Sequence, residues 1–242
     1  GQTFEAPRTI ASEIRGLNDA MVACGPPGSV YVIYHASPDS GRMETRRLES
    51  PATVIVLRSQ DRGRTFDRPI ELGLTTFAIS FPGTSSNTLP AIAADPDSGL
   101  VCAAFTRHQV GARHADILLA ASRDRGHTWS RAEVVTPQDQ IIYFEPQVAI
   151  GAAGRIGVMA LAMAHGKVSV VLMLSEPGSR RFGPPITITN HPFDPAKSGF
   201  GSRWFIGDNQ ALATTPGAFH PLWNGTHTGQ LQLFTATVRV GS

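Results

Sequence analysis

Short apolar runs recur along the chain, and each is followed within a few residues by a turn that contains glycine. The first run of each pair covers residues 21–23, 91–93, 147–149 and 211–213. A second apolar run follows the turn, and six residues after glycines 28, 99, 154 and 217 it reaches Tyr34, Phe105, Ala160 and Trp223. Runs this short, bounded by glycine turns, predict β-strands rather than helices. We therefore predict repeated units whose first two strands are small and apolar because they pack in a crowded interior.

Between these runs the chain carries a longer motif, S-x-D-x-G-x-T followed by an aromatic residue. Two full copies are present, and their defining residues are Ser59, Asp61, Gly63, Thr65, Phe66, Ser122, Asp124, Gly126, Thr128 and Trp129. A weaker copy at residues 175–182 keeps the first and last positions, and Thr3-Phe4 matches the end of another. The aromatic residues at 4, 66, 129 and 182 lie 62, 63 and 53 positions apart. This spacing suits one four-stranded sheet per repeat, so we predict an all-β β-propeller of four-stranded antiparallel blades, about four of them in this chain.

The motif has the composition of a turn between two antiparallel strands. Its aspartate can accept hydrogen bonds from nearby backbone N–H groups, and its glycine can adopt a positive φ. We predict that the aromatic residue is buried beneath the turn, so that Trp129→Ala costs roughly 3 to 5 kcal/mol. The segment after the motif is predicted to be the outermost strand, where proline is tolerated. The inner strands are expected to begin near Ala20, Pro90, Pro146 and Gln210.

Together these features resemble the Asp-box, or BNR-repeat, β-propellers of the sialidase superfamily, in particular secreted bacterial BNR-repeat proteins. The likeness covers most of the chain, because residues 207–212, 219–223 and 232–235 resemble the closing blade of such proteins. It implies one propeller domain over residues 1–242, secreted or held in the cell envelope, with residues 3–10 supplying the outer strand of the last blade. Sialidase propellers have six blades, so the ring is either four-bladed or preceded by N-terminal blades.

In this family the motif turns lie on the face opposite the substrate, so the resemblance assigns both full motifs to structure. The other face is predicted to consist of the loops that enter the first strands and those that join the second strands to the third. Ligands of β-propellers tend to bind at the axis, where the residues just ahead of the inner strands point. The ligand-binding candidates there are Asp19, Glu145, Asp208 and Asn209. The alternative is that these residues cap strand entries by binding backbone N–H groups.

Basic and aromatic residues are predicted on the same face. The basic ones are Arg107, Arg113, Arg203, His35, His108 and His114. Singly each fits a solvated loop, but together they can bind a carboxylate, because a guanidinium is a planar, two-pronged donor. Trp204 fits a platform on which a sugar stacks, with core packing as the alternative. Arg107, Arg203 and Trp204 complete the set of ligand-binding candidates.

Charge and composition narrow the partners. With 21 basic and 19 acidic residues mixed along the chain, neither nucleic acid nor a membrane surface is indicated, and no apolar stretch is long enough for membrane insertion. The histidines lack the spacing of a zinc motif and no glycine-rich phosphate loop is present, so no metal and no cofactor is predicted. Cys24 and Cys102 are predicted to be free thiols, with a bridge between them as the alternative. The resemblance makes a glycan or glycoconjugate the expected partner.

The resemblance also implies a function, a glycoside hydrolase of sialidase type with a tyrosine nucleophile assisted by glutamate. In the family this tyrosine stands in a Tyr-Ser-x-Leu motif at the start of the final inner strand. The matching residue in this chain is Asn209, whose amide cannot act as a nucleophile. Tyr143 is the only tyrosine predicted on the substrate face and, with Glu145, is a weak stand-in. We therefore expect glycan recognition without the sialidase nucleophile. The alternatives are a hydrolase whose remaining catalytic residues lie upstream and a protein-interaction propeller without catalysis.

Overall fold

A computed structural model describes residues 5–11, 16–37, 51–76, 78–81, 84–108, 112, 114–137, 140–199 and 206–241. These residues form strands joined by turns and two short 3-10 helices, Ala152–Gly154 and Pro195–Ser198. No helix within these ranges is long and apolar enough to cross a membrane.

The strands follow one another in a repeating series. They are β1 (Leu17–Cys24), β2 (Val30–Ala36), β3 (Pro51–Ser59), β4 (Ile70–Thr76), β5 (Ala78–Phe81), β6 (Thr84–Asn87), β7 (Ala91–Ala94), β8 (Val101–His108), β9 (Ala115–Ser122), β10 (Glu133–Val134), β11 (Ile142–Ile150), β12 (Ile156–Ala164), β13 (Lys167–Leu174), β14 (Ile186–Thr187), β15 (Ala211–Thr215), β16 (Ala218–Gly225), β17 (Gln232–Thr235) and β18 (Val238–Arg239).

Most of these strands belong to four antiparallel blades. The first blade has the order β1-β2-β3-β4, the second β7-β8-β9-β10 and the third β11-β12-β13-β14. One parallel pairing, Ile142 with Ala115, joins the second and third blades into a single eight-stranded sheet. In the fourth blade β15, β16 and β17 follow in order and β18 pairs with β16. The hairpin β5–β6 lies between the first and second blades in the chain.

The blades are arranged around their first strands. β1 contacts β7, β7 contacts β11, and β11 contacts β15. Because side chains alternate across a strand, the second and third blades each bury one apolar layer against the blade before and another against the blade after. Thus Ala103 and Phe105 face the first blade, whereas Cys102 and Ala104 face the third. This is the all-β propeller that the sequence predicts, with four blades in the described part of the chain.

At two of the seams between blades an aromatic ring lies over a glycine of the neighbouring blade. A Cβ atom added at Gly73 of the first blade would lie 3.0 Å from the Phe105 ring of the second, and one at Gly126 would lie 2.9 Å from the ring of Tyr31. Phe219 of the fourth blade covers Gly157 of the third in the same way. The rings therefore fill notches that exist because the opposing residue has no side chain.

The predicted apolar runs all lie in strands, the first runs in β1, β7, β11 and β15 and the second in β2, β8, β12 and β16. Two of the predicted starting points are wrong. β1 and β11 begin earlier, because at Ala20 and Pro146 the strand does not begin but bulges, as shifts in pairing with β2 and β12 show. An extra residue in one strand of a pair produces such a bulge.

The two full motif copies form the same turn. The Ser59 hydroxyl oxygen accepts the Gly63 N–H at 2.8 Å, and the Asp61 carboxylate accepts the Thr65 N–H at 2.8 Å and its hydroxyl at 2.6 Å. The corresponding distances in the copy at 122–129 are 2.7, 2.9 and 2.6 Å. Hydrogen bonds from the threonine hydroxyl and N–H lower the pKa of Asp61, and the same holds for its counterpart Asp124. The turn residues thus have the roles that their composition predicts.

Both motif turns lie at the same end of the blades. The Arg62 N–H donates to the carbonyl of Gly28 at 2.9 Å, and the Arg125 N–H donates to that of Gly99 at 3.2 Å, so each turn sits beside the first turn of its own blade. The Tyr31 hydroxyl of the first blade also donates to the Arg125 carbonyl of the second at 3.1 Å. We call this end the turn face, and the opposite end, where β2 and β8 end and β3 and β9 begin, the loop face.

Two further expectations are corrected. Residues 5–10 form no strand and do not complete the last blade; Arg8 donates to the Gly63 carbonyl of the first blade instead. Residues 1–4 lie outside the described residues. The alternative of a disulfide is wrong, because Cys24 is exposed and Cys102 is buried, and both are free. Burial raises the pKa of the Cys102 thiol to about 12.

The prediction that the aromatic residues of the motif are buried is wrong: Phe66 and Trp129 are half-buried, so we expect their removal to cost less than that of a core aromatic residue. Trp129 packs at the edge of the layer between the first two blades, and its Nε1 has no hydrogen-bond partner in the described residues. We expect Trp129→Ala to cost about 2 to 3 kcal/mol, below the usual range for a core aromatic, and Trp129→Phe less than about 1 kcal/mol. Urea denaturation measures both. Equal costs for the two variants would show that the ring contributes nothing by packing.

Candidate functional site

Two acidic residues occupy the same bulge in different blades. Asp19 in β1 and Glu145 in β11 both lie at the pairing shift, with φ of 57° and 49°. A left-handed conformation costs a residue other than glycine of the order of 1 kcal/mol or more, and bulges are used to re-aim a side chain. In each strand the bulge therefore changes the direction of the carboxyl side chain from the one that regular strand alternation would give it. Both bulges lie near the loop face.

Glu145 is at the centre of a buried polar cluster. Its side chain is 1% exposed; Ser86 hydrogen-bonds to Oε1, and Gln210 Nε2 donates to Oε2 at 2.9 Å. The pKa of Glu145 is raised to about 8: burial is the largest cause, the hydrogen bonds from Ser86 and Gln210 oppose it, and the charge of Asp208 adds to it. At neutral pH the carboxyl group is therefore mostly protonated.

Asp208 and Asn209 form the outward part of the same cluster. Asn87 Nδ2 donates to Asp208 Oδ2 at 2.9 Å, and Asn209 Nδ2 donates to Oδ1 at 3.2 Å. Asp208 is half-buried and Asn209 is exposed. The buried Gln210 accepts the Asn224 N–H at 3.0 Å, which ties the segment before β15 to its own blade as well as to Glu145. We call Ser86, Asn87, Glu145, Asp208, Asn209 and Gln210 the Glu145 cluster.

Asp19 contacts a histidine of its own blade. Its Oδ2 lies 3.7 Å from Nδ1 of His35, which is fully buried. Burial lowers the pKa of His35 to about 4, against an opposing effect of the Thr88 backbone, so the imidazole is neutral at pH 7 and the contact is not an ion pair. Thr88 follows Ser86 and Asn87 closely, so the segment 86–88 reaches both the Glu145 cluster and His35.

The structure places Asn209 against Asp208, Asp208 within electrostatic range of Glu145, and Asp19 with His35 near the segment 86–88. Arg107 forms an ion pair with Asp116 on the neighbouring strand, with Nη2 2.6 Å from Oδ2. His114 is exposed. The remaining candidates lie outside the described residues: Arg113, Arg203 and Trp204.

Tyr143 does not line the loop face. It is 3% exposed and belongs to the core layer between the second and third blades. The other two tyrosines, Tyr31 and Tyr34, are 0% and 3% exposed. All three tyrosines of the chain are therefore buried, and none is presented to a ligand as a nucleophile must be.

Three residues of the Glu145 cluster were not among the predicted candidates. Ser86 and Asn87 lie in the predicted loop ahead of the inner strand near Pro90, and Gln210 is itself the predicted start of an inner strand. The only signal in the sequence is the polar run 84–88 ahead of an inner strand. Within the described ranges no group of three or more histidine, cysteine or acidic residues is arranged to hold a metal ion.

Comparisons with known proteins identify the fold. No protein-family model matches the chain, and no curated protein matches it by sequence. A protein of unknown function from Dyadobacter fermentans superposes with a TM-score of 0.62 at 14% identity, over 98% of this chain and 64% of that one. The NanB sialidase of Streptococcus pneumoniae gives 0.55 at 9% identity, over 95% and 52%. An α-L-arabinanase of Penicillium chrysogenum, complexed with arabinobiose, gives 0.51 at 10% identity, over 91% and 76%.

The chain thus spans less than two thirds of the length of the Dyadobacter protein and about half of the sialidase. At such identities the likeness shows a shared fold and no more. The fold is the β-propeller, which here is shared with enzymes that act on carbohydrates.

Proposed function

We propose that this chain is a carbohydrate-recognising β-propeller that binds its glycan on the loop face through the Glu145 cluster, without sialidase-type turnover. The observation that carries the proposal is the adjacent pair Asp208 and Asn209, which is accessible to solvent yet held by Asn87 and followed directly by the buried Gln210. Sugars are recognised by a few well-placed polar groups of this kind.

The chemistry of the pair suits hydroxyl groups. Each oxygen of Asp208 already accepts one amide N–H, from Asn87 or Asn209, and an ionised carboxylate has further lone pairs for a sugar hydroxyl. The exposed Asn209 amide supplies a donor and an acceptor beside it. Because Asn87 holds the carboxylate in place before binding, less conformational freedom is lost when the sugar arrives.

Glu145 has a positioning role in this proposal. Its protonated carboxyl group holds Gln210 through a buried hydrogen bond, and Gln210 fixes the segment that carries Asp208 and Asn209. A fully satisfied buried network of this sort rigidifies its surroundings. Since Glu145 carries no charge at pH 7, the cluster presents the charge of Asp208 without a second carboxylate beside it.

Asp208→Asn is expected to weaken glycan binding by about tenfold to a hundredfold, the effect of losing hydrogen bonds to a charged group. The wild type is first screened on a glycan array, and its best glycan is then titrated by calorimetry. Asp97→Asn, in an exposed turn on the turn face, is the matched control and should bind like the wild type. Equal affinity of the Asp208 variant, or a wild type that binds no glycan, contradicts the proposal.

A glycoside hydrolase is the second candidate, favoured by one observation. A carboxyl group with a pKa raised to about 8 beside a second carboxylate is the arrangement from which acid–base pairs are built. Against it, Glu145 is buried and both its oxygens are engaged, so it does not reach a glycosidic oxygen. Release of a fluorescent group from an aryl arabinoside or sialoside, lost in Glu145→Gln, would favour the hydrolase over the binding protein.

A further inference from the structure

Three connections at the turn face concentrate the positive charge of the chain. They join β3 to β4 (60–69), β9 to β10 (123–132) and β13 to β14 (175–185). Together they contain eight arginines, no lysine and four acidic residues, whereas the whole chain has 21 basic and 19 acidic residues. The rest of the chain therefore has more acidic than basic residues, and the excess of positive charge lies at this end of the blades.

The three connections lie side by side. Arg58, which is paired with Asp67 of the first connection, donates through Nη1 to the Arg125 carbonyl of the second at 3.5 Å. On the other side of the second connection, Arg123 Nη2 donates to the Gly178 carbonyl of the third at 2.7 Å. Because packed sheets lie about 10 Å apart, this row extends over about 20 Å across three blades.

Arginine occupies a strained backbone position in both full copies of the motif. Arg62 and Arg125 have φ of 63° and 58°, and the glycine after each has φ of 78° and 79°. In the first copy the Arg64 N–H donates to the Asp61 carbonyl at 3.4 Å across these two residues. This is the pattern of a type I′ turn, which prefers asparagine followed by glycine because few other residues adopt a left-handed conformation readily. The turn itself therefore does not favour arginine.

The side chains of Arg62 and Arg125 are exposed and form no hydrogen bond or ion pair with the described residues. The stem of Arg125 lies over Gly99, since a Cβ atom added there would be 2.8 Å from its Cγ. A strained residue whose side chain the fold does not use indicates a function for that side chain. Four more exposed arginines of the three connections also lack an acceptor among the described residues. We call all six the arginine strip: Arg62, Arg64, Arg68, Arg125, Arg131 and Arg181.

The carboxylates of the same connections are already engaged. Asp67 lies 2.6 Å from Nη2 of Arg58, and Asp61 and Asp124 each accept two hydrogen bonds from the threonine of their own turn. Of the four, only Glu176 has no side-chain partner in the described part of the chain. The guanidinium groups of the strip therefore have no anionic partner within the described residues.

We propose that the arginine strip binds an anionic polysaccharide, a linear glycan with sulfate or carboxylate groups along its length. A guanidinium pairs with such groups through two parallel N–H donors, which lysine cannot provide. A row of six cations over three blades suits a chain with several anionic groups rather than a single ion. The aromatic rings of the connections, Phe66, Trp129 and Phe182, are half-buried and offer no exposed platform for nucleic-acid bases. The strip lies on the face opposite the Glu145 cluster, so this proposal does not depend on glycan binding there.

The test compares four polymers on the wild-type chain by calorimetry: dextran sulfate, carboxymethyl dextran, neutral dextran and an oligothymidylate matched in charge to the dextran sulfate. The salt concentration is about 0.15 M, at which charges more than about 8 Å apart are largely screened. We expect at least one of the two anionic dextrans to bind at least tenfold more tightly than neutral dextran and the oligothymidylate. Binding of neither anionic dextran, or equal binding of the oligothymidylate or of neutral dextran, overturns the proposal.

The pair Arg62→Gly with Arg125→Gly separates binding from folding. Glycine adopts the left-handed conformation without strain, so the thermal midpoint should not fall, whereas affinity for the better anionic dextran should fall about tenfold through the loss of two exposed ion contacts. The logarithm of the affinity for a linear polyanion falls linearly with the logarithm of the salt concentration, and that slope should be smaller by about 2 in the double variant.

The matched control is Lys167→Gln with Lys197→Gln, which removes two exposed charges at the other end of the third blade and should bind like the wild type. A second pair, Arg64→Gln with Arg131→Gln, changes residues of the strip outside the left-handed region and should also weaken binding about tenfold. Undiminished affinity in either arginine pair, or an equal loss in the lysine pair, refutes the strip as the binding site.

Discussion

Glu145→Gln is expected to stabilise the protein at pH 8 and above and to leave its stability near pH 5 almost unchanged. The folded-state pKa of Glu145 is about 8, against an ordinary value of 4.5. Between these two values the folded protein holds a proton that the unfolded chain releases, so stability falls as pH rises through that window. The shift corresponds to roughly 5 kcal/mol at most. Glutamine keeps the neutral form and its hydrogen bonds at every pH, so the variant should lack this decline.

The measurement is urea denaturation from pH 4 to pH 9, with Glu71→Gln at an exposed site in β4 as the control. His35 adds an opposite slope, because its folded-state pKa of about 4 lies below the ordinary 6.5 and stability is lost as pH falls through that range. The wild type should therefore be most stable near pH 5 to 6 and decline on both sides. A decline above pH 6.5 that persists in Glu145→Gln would mean that another group causes it.

Gly157→Ala is expected to destabilise the protein by about 1 to 3 kcal/mol, the cost of overfilling a packed interior. The added Cβ would lie 2.7 Å from Cδ1 of Phe219 and closer still to Cε1. Phe219 is 1% exposed and also lies against Gly151, so its ring cannot move aside without disturbing the seam. Phe219→Ala should cost more, about 3 to 5 kcal/mol, because it removes a buried aromatic ring.

A double-mutant cycle tests whether the cost of Gly157→Ala comes from the clash with Phe219 or from any substitution at this position of β12. Phe219→Leu makes room for the new methyl group, so the pair Gly157→Ala and Phe219→Leu should cost less than the sum of the single changes. Gly183→Ala is the control, since its Cβ would meet nothing nearer than 3.9 Å. Thermal denaturation of the four variants provides the data. Additive costs would show that Phe219 does not limit position 157.

The sequence predicts the strands well because strand signals are local. Alternating side chains and glycine turns are properties of a few neighbouring residues, and so are the hydrogen bonds of the Ser59 and Ser122 turns. The bulges at Asp19 and Glu145 were missed because an extra residue in a strand leaves its composition unchanged. What reveals a bulge is the pairing with the next strand.

The candidate site was predicted in part, for a related reason. Their position ahead of an inner strand selects Glu145, Asp208 and Asn209; in the structure Asn209 donates to Asp208, and the charge of Asp208 acts on Glu145. Ser86 contacts Glu145 across 59 residues and Gln210 contacts it across 65, so both contacts depend on how the blades pack. Arg107 was predicted at the same site. The register of β8 and β9 instead places it opposite Asp116, with which it forms an ion pair, and the sequence alone does not reveal that register.

The aromatic rings that cover glycines have a consequence for how repeated units recognise their neighbours. Blades of similar sequence present similar strand edges, so pairing with the wrong blade is a hazard of repeat proteins during folding. The Phe219 ring can pack only against a blade that has a glycine at the opposing position, here Gly157. In the same way, the Phe105 ring packs against Gly73. A blade with alanine or valine there would be held away from the ring. The pairs of ring and glycine thus determine which blades can pack against each other.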